Sequence, residues 1–402
     1  MKPDLGFHLD LALSLLGAGQ VFNVTFLAGQ PALVETTLEG RAVTMPVPKF
    51  VADHSESFSE AERVFANASN PIVSARHIAD LAEMVVPSWK RLIGSEPVQG
   101  TLKIPGRNPM RCSFFLFSDV GRERTGEGSQ IVENTTYESQ YSGLLGCAIR
   151  ILPTEPMSLS QIRLPVKARA AADSGGGLVL ISGAPGVGKS TTAAAFVDYA
   201  NRKRSGTIVT AEAPIEVPIP SQRSIVSQRE IGVNVRSVAQ AVRDAERNFA
   251  HTVLVGEIQT LEEESAAFQA ARHGLFVVAT GFSSNAADAV KTMAMNLDRA
   301  GMNGADLVAS TLLASIYQVR MPSTTAGKWE FAYESLALRD DPEAQSLVRK
   351  RDWEGLQAYV EADTSQNLNA SIAQLVSGKS VRPESGVAAS YNKPQLMKMI
   401  RP

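Results

Sequence analysis

The chain has 402 residues, a length that allows two or three domains. It is 44% hydrophobic with a formal net charge of −2. These values exclude an intrinsically disordered chain and a global basic excess that would hold nucleic acid or an anionic membrane. Two cysteines without a CxxC pair exclude a disulfide framework and argue against a structural zinc site. The sequence contains no run of about 18 consecutive apolar residues, so no transmembrane helix is predicted.

Residues 1–152 have the pattern of one α+β domain. Residues 11–18 predict an ordinary first helix rather than a signal peptide, because Asp4 and Asp10 lie where a signal peptide needs basic charge. Short apolar runs separated by turn residues predict an antiparallel sheet. Residues 122–140 are rich in Gly, Glu, Ser, Thr and Arg and predict a polar surface insertion. Prolines then predict an extended linker over residues 153–165.

Residues 166–335 alternate between strand and helix signals, which predicts an α/β domain with a parallel sheet. Buried strands are expected at residues 178–181, 207–210, 252–255 and 275–279, where short apolar runs occur. Residues 336–402 predict a helical region and tail. Small amphipathic helices are expected at residues 345–360 and 367–376, followed by a loosely held end.

A complete phosphate-binding loop follows the first of these strands. Its eight residues fit G-x-x-x-x-G-K-[ST] and are Gly183, Ala184, Pro185, Gly186, Val187, Gly188, Lys189 and Ser190. The glycines let backbone N–H groups face phosphate oxygens, at the N-terminus of a helix that continues through Thr191. Lys189 is expected to reach the β- and γ-phosphates of ATP, and Ser190 to offer its hydroxyl to Mg²⁺. The sequence lacks the N-K-x-D motif by which GTPases recognise guanine. It also shows no segment typical of the lid of a small-molecule kinase.

Two acids at strand ends are candidates for catalysis. Glu257 ends the run 252–255 after Gly256, and Glu212 follows the strand at 207–210. Either carboxylate could polarise the attacking water or bind Mg²⁺ through water, and the sequence leaves their roles open. The acidic run at residues 262–264 predicts a solvated helix face.

Several motifs in residues 150–300 resemble the type II/IV secretion ATPase superfamily. They are the stretch 198–210, the acidic box at Glu212 and 214–216, the stretch 227–232 and the stretch 255–258. The closest similarity is to pilus retraction ATPases, and Gly256 in place of the usual Asp is itself a family trait. The resemblance implies a RecA-like P-loop domain preceded by a PAS-like domain, to which residues 29–31 and 156–165 are weakly similar. It also implies a ring of six subunits, each closing its neighbour's nucleotide site.

The sequence departs from the retraction ATPases at several positions. Ala213 replaces the Asp of the acidic box, and Gln259 replaces the arginine after Glu257. Both histidines of the His box are absent, with Leu275 and Phe282 in their places, and His273 is interpreted as unrelated. Of the N-terminal arginine pair one member remains, so Arg111 is the first candidate for the arginine acting on a neighbouring subunit and Arg150 the second. These departures suggest the branch of DotB/TraJ-like type IVB secretion and conjugation ATPases.

The resemblance therefore implies a hexameric motor ATPase that powers a type IV pilus or a type IVB secretion or conjugation machine. It would be cytoplasmic and peripheral at the inner membrane, through a membrane-embedded platform protein. One alternative is a nucleotide-binding, catalytically degenerate ring subunit of such a machine. A nucleic-acid translocase is disfavoured by the near-neutral charge, since the basic clusters at residues 202–204 and 349–351 predict solvated helix faces.

Overall fold

The computed structural model describes residues 15–16, 21–28, 32–38, 41–53, 73, 75–86, 93, 98–102, 110–117, 144–325 and 328–400. It divides into two compact units, Met1–Leu152 with Ser323–Lys328, and Pro153–Pro322 with Trp329–Pro402. The predicted insertion at residues 122–140, the family-like residues 29–31 and most of the predicted first helix lie outside the described residues. None of the described helices is long and apolar enough to span a bilayer.

The first unit contains a six-stranded antiparallel sheet with the order β3-β2-β1-β6-β5-β4. Among the described residues its elements are β1 (Val21–Leu27), β2 (Leu33–Leu38), β3 (Arg41–Pro46), α1 (Val47–Asp53), α2 (Ala75–Val85), β4 (Val98–Leu102), β5 (Met110–Phe117) and β6 (Leu144–Ile151). Phe50, Leu81, Phe114 and Ile149 share one apolar core, so strands and helices pack together as an α+β unit.

The second unit is built on a seven-stranded sheet with the order β13-β12-β7-β11-β10-β8-β9. Its strands are β7 (Gly177–Ser182), β8 (Gly206–Glu212), β9 (Ser224–Glu230), β10 (Ala250–Val255), β11 (Phe276–Gly281), β12 (Leu312–Pro322) and β13 (Trp329–Ala337). All neighbours pair in parallel except β12 and β13. Strands β7, β8, β10 and β11 confirm the predicted α/β class.

Helices cover both faces of this sheet. They are α3 (Val166–Ala170), α4 (Lys189–Lys203), α5 (Val238–Arg247), α6 (Leu261–Arg272), α7 (Ala286–Arg299), α8 (Gly304–Thr311), α9 (Pro342–Lys350), α10 (Trp353–Ala362), α11 (Leu368–Ser377), α12 (Pro383–Ala389) and α13 (Lys393–Ile400). One apolar cluster joins α5–α10 to one face, and another joins α3 and α4 to the opposite face. Every residue of β7 and β11 is buried as a result.

The C-terminal end is packed, so the prediction of a loosely held tail was wrong for residues 383–400. Leu396 of α13 is fully buried in an apolar cluster with β12, β13 and α11. The Tyr391 hydroxyl donates to the buried carboxylate of Glu334 on β13. Asn369 of α11 donates to the backbone carbonyl of Asn392 at 2.8 Å. These contacts fix the last two helices against the sheet.

Candidate functional site

The phosphate-binding loop connects the carboxyl end of β7 to the first residue of α4. Gly183, Gly186 and Gly188 have φ values of 143°, 75° and 92°, in the region that side chains disfavour. At Gly183 a Cβ atom would also lie 2.4 Å from the carbonyl oxygen of Gln318. The glycines are therefore required by the curvature of the loop and by its contact with β12.

Lys189 is held over the loop by its own backbone. Its Nζ donates to the carbonyl oxygens of Gly183 at 3.0 Å and Ala184 at 3.2 Å. Burial lowers the pKa of Lys189, while the charges of Glu257 and Glu216 oppose that shift. The ammonium is thus positioned above the glycine loop, within electrostatic range of two carboxylates.

The residues beside Lys189 lie in the first turn of α4. Ser190 and Thr191 are half-buried, whereas Ala184, Pro185 and Gly186 are exposed at the outer part of the loop. Helix α4 begins with a left-handed Gly188 and no side-chain cap. Its first N–H groups therefore remain directed at the space over the loop, where the helix dipole favours an anion.

Glu212 is the last residue of β8 and is 7% exposed. Its Oε1 accepts hydrogen bonds from Thr210 Oγ1 at 2.7 Å and from Gln228 Nε2 at 3.2 Å. Burial raises the pKa of Glu212, and these two hydrogen bonds oppose the increase. A buried carboxylate with a raised pKa is a better proton acceptor, which suits a group that polarises water.

Glu257 follows β10, and the preceding Gly256 lies against Glu212 at the end of β8. A Cβ atom at the intervening Gly256 would lie 3.0 Å from both the Ala211 carbonyl oxygen and the Cα of Glu212. A side chain at position 256 would therefore crowd the end of β8. Gln259 Nε2 donates to Glu257 Oε1 at 2.7 Å, so the residue that replaces the family arginine orients the carboxylate.

Gln318 of β12 contacts both the phosphate loop and the first turn of α4 through its side chain. The sequence did not predict this role. The side chain of Gln318 is fully buried. Its Nε2 donates to the Val187 carbonyl oxygen at 2.6 Å, and its Oε1 accepts from Thr192 Oγ1 at 2.9 Å. The strand β12 itself was not predicted, and no local pattern links a glutamine to a loop about 130 residues earlier.

Phe282 gives the altered His box a structural role. Lys189 Nζ lies 4.1 Å from the centre of its ring, in cation–π geometry. Leu275, at the other histidine position, is buried in the apolar core. His273 bonds Glu246 at 2.7 Å at the amino end of β11. The ring of Phe282 therefore occupies the space beside the P-loop lysine, while His273 lies at the opposite edge of the sheet.

The two candidate arginines lie on paired strands of the first unit. Arg111 of β5 pairs with Arg150 of β6. Arg111 is 4% exposed, whereas Arg150 is exposed. An arginine that acts on a neighbouring subunit needs an accessible guanidinium. Arg150, the second candidate from the sequence, is therefore the accessible one of the two.

Together these residues form a pocket edge suited to a nucleoside triphosphate. The loop and the start of α4 offer N–H groups and one ammonium to phosphate oxygens. Ser190, Glu212 and Glu257 offer hydroxyl and carboxylate oxygens, the donors that Mg²⁺ prefers. The residue types and their common position at the carboxyl ends of parallel strands fit phosphoryl-transfer chemistry.

Comparison with known proteins agrees with this arrangement. Residues 148–325 match the family model described as type II/IV secretion system protein. The uncharacterized protein YggR of Escherichia coli is 38% identical over 149 residues, which are 37% of this chain and 46% of that protein. The match thus spans less than half the length of YggR. A twitching motility protein of Neisseria gonorrhoeae is 28% identical over 328 residues, 80% of this chain and 81% of the relative.

Two solved structures share the fold. The pilus retraction motor PilT with bound ADP superposes with a TM-score of 0.71 and 22% identity, covering 98% of this chain and 99% of that chain. The Legionella pneumophila ATPase DotB superposes with a TM-score of 0.70 and 20% identity, covering 96% and 95%. These findings confirm the resemblance predicted from the motifs. Residues 148–325 therefore resemble the type II/IV secretion system protein family, and the chain shares the fold of PilT and DotB.

Proposed function

We propose that this chain is a hexameric motor ATPase. Hydrolysis of ATP would power a type IV pilus or a type IVB secretion or conjugation machine at the cytoplasmic face of the inner membrane, through a platform protein. The observation that carries the proposal is a complete phosphate loop whose Lys189 is within electrostatic range of Glu257, with Glu212 at the end of β8 on the same edge of the sheet. Relatives named for a retraction motor and for twitching motility support the motor role.

The chemistry follows from the positions of the side chains. Lys189 would exchange its two backbone carbonyl partners for phosphate oxygens, with the loop N–H groups around them. Ser190 and whichever of the two carboxylates does not act on water would hold Mg²⁺, which would neutralise charge on the transferred phosphoryl group when bound. Glu212, with its raised pKa, and Glu257, oriented by Gln259, are the groups that would position and deprotonate water.

Phosphate release by the full chain tests the enzymatic part. We expect Lys189→Ala to abolish ATP binding and Glu257→Gln to keep ATP binding but lower turnover by roughly 10²–10³-fold. The exposed Glu262 provides a control, because Glu262→Gln changes a carboxylate on the following helix without touching the site. A Lys189→Ala chain that still supported pilus retraction or substrate export in its host would overturn the motor role.

A catalytically degenerate ring subunit is the second candidate. It is favoured by one observation, the contact of Lys189 with Phe282 in place of a histidine. The same experiment separates the two functions. Phosphate release that is indistinguishable between the wild type and Glu257→Gln, with ATP binding intact in both, would establish the degenerate subunit.

A further inference from the structure

Glu264 of α6 does not lie on a solvated face, so the prediction for this member of the acidic run 262–264 was wrong. It is 4% exposed, whereas Glu262 is exposed. Its Oε2 accepts from Asn296 Nδ2 at 3.0 Å. Within the described part of the chain its Oε1 is buried without a hydrogen-bond partner. A buried carboxyl group is seldom left half-satisfied, because its desolvation is then uncompensated.

Glu264 lines a cavity of about 300 Å³ between α6, α7 and the end of β11, here named the α6–α7 pocket. Its wall includes Leu180, Phe282 and Met293, and the exposed Gln259 and Thr292 lie at its rim. The volume is at the lower end of the range for small-molecule sites. Among the described residues that line the pocket, Glu264 is the one ionisable side chain.

We propose that the α6–α7 pocket binds a small organic cation, whose amidinium or guanidinium group pairs with Glu264 while its apolar body packs against Phe282 and Met293. A planar cation of this class donates two parallel N–H bonds to one carboxylate. Oε1 has no hydrogen-bond partner among the described residues, and Oε2 retains a lone pair beside its bond from Asn296. The cation also supplies a positive charge to balance Glu264, since no basic residue is among the described ones that line the pocket. The pocket adjoins the phosphate-loop site, because its lining residues Phe282 and Gln259 contact Lys189 and Glu257.

Calorimetric titration of the nucleotide-free full chain with benzamidine tests the site. Benzamide, which is nearly the same size but neutral, is the matched probe. We expect benzamidine to bind at least about tenfold more tightly than benzamide. Glu264→Gln should abolish that preference, because it keeps the shape of the side chain and removes its charge. Glu262→Gln, on the same helix but exposed, should leave the preference unchanged.

A second variant keeps the test valid if Glu264→Gln folds poorly. Thr292 is exposed at the rim, so Thr292→Trp should obstruct the opening without disturbing the core and should weaken benzamidine binding about tenfold or more. Equal binding of benzamidine to the wild type and Glu264→Gln would overturn the proposal. So would equal affinity for benzamidine and benzamide, or the absence of benzamidine binding at millimolar concentration.

Discussion

Phe282 lies against the ammonium of Lys189, the group expected to bind phosphate. The ring lies 4.1 Å from Nζ and is about half exposed, a setting in which a cation–π contact contributes about 0.5–1 kcal/mol. Phe282→Leu keeps apolar bulk but removes the aromatic ring. We expect it to lower the Kd for ATP about two- to fivefold, measured in equilibrium titrations. Phe282→Tyr keeps the ring and should bind like the wild type; equal Kd values for the Leu and Tyr variants would contradict the role of the ring.

The carboxyl group of Glu264 gives the stability of the protein a defined pH dependence. Burial raises its pKa from 4.5 to about 7, so between these values the folded state holds a proton that the unfolded state has released. The contribution of Glu264 to the free energy of unfolding therefore decreases as the pH rises from about 4.5 to 7 and is constant above that range. We expect Glu264→Gln to raise the free energy of unfolding at pH 8 by on the order of 2 kcal/mol.

Urea unfolding at pH 8 and pH 5 checks this expectation. At pH 5 most of the folded protein carries Glu264 in its neutral form, so the advantage of glutamine should largely disappear. Glu262→Gln is the control, since an exposed carboxylate on the same helix should give little difference at either pH. A Glu264→Gln effect of equal size at both pH values would show that packing, rather than charge, is responsible.

At the scale of elements, β12 stabilises the phosphate loop from the side. Gln318→Met removes both polar contacts of a buried side chain at similar volume and leaves the Val187 carbonyl and the Thr192 hydroxyl without these partners. We expect a loss of about 1–3 kcal/mol in the free energy of unfolding and weaker ATP binding. Denaturant unfolding and ATP titration measure the two effects. Gln269→Met, on the exposed face of α6, should change neither.

The sequence predicted those elements whose patterns are local. Strands β7, β8, β10 and β11 are continuous apolar runs because helices cover both faces of the sheet. Strand β9 was not predicted, because it is an edge strand whose residues are mostly half-buried, among them Gln228 and Arg229. Strands β12 and β13 pair antiparallel at the other edge. The C-terminal helices are short, and their order depends on long-range contacts such as that of Tyr391 with Glu334.

At the scale of the whole molecule, the sequence motifs that carry the chemistry could be predicted. The side chains that contact them from distant elements could not. The loop from Gly183 to Ser190, together with Glu212 and Glu257, follows local spacing that phosphate chemistry requires. Gln318, Phe282 and Glu264 act through side-chain contacts between elements that are distant in sequence. Their geometry depends on the packing of the sheet and its helices, which no periodic pattern encodes.

The proposed ring predicts that nucleotide sites are shared between neighbouring subunits. Arg150 is the exposed candidate for the completing arginine, so Arg150→Ala and Lys189→Ala should each abolish ATP hydrolysis when pure. In rings mixed at equal amounts, roughly a quarter of the interfaces combine an intact loop with an intact neighbouring arginine. We therefore expect phosphate release to recover to about that fraction of the wild-type rate.

The matched control for this recovery mixes Lys189→Ala with Glu257→Gln. Both substitutions damage the same site, because Lys189 and Glu257 act together within one chain. No mixed interface then contains a complete site, and phosphate release should stay at the level of the single variants. Recovery in this control would mean that the glutamate is contributed by a neighbour. An absence of recovery with Arg150→Ala, in subunits shown to have mixed, would mean that Arg150 does not complete the neighbouring site.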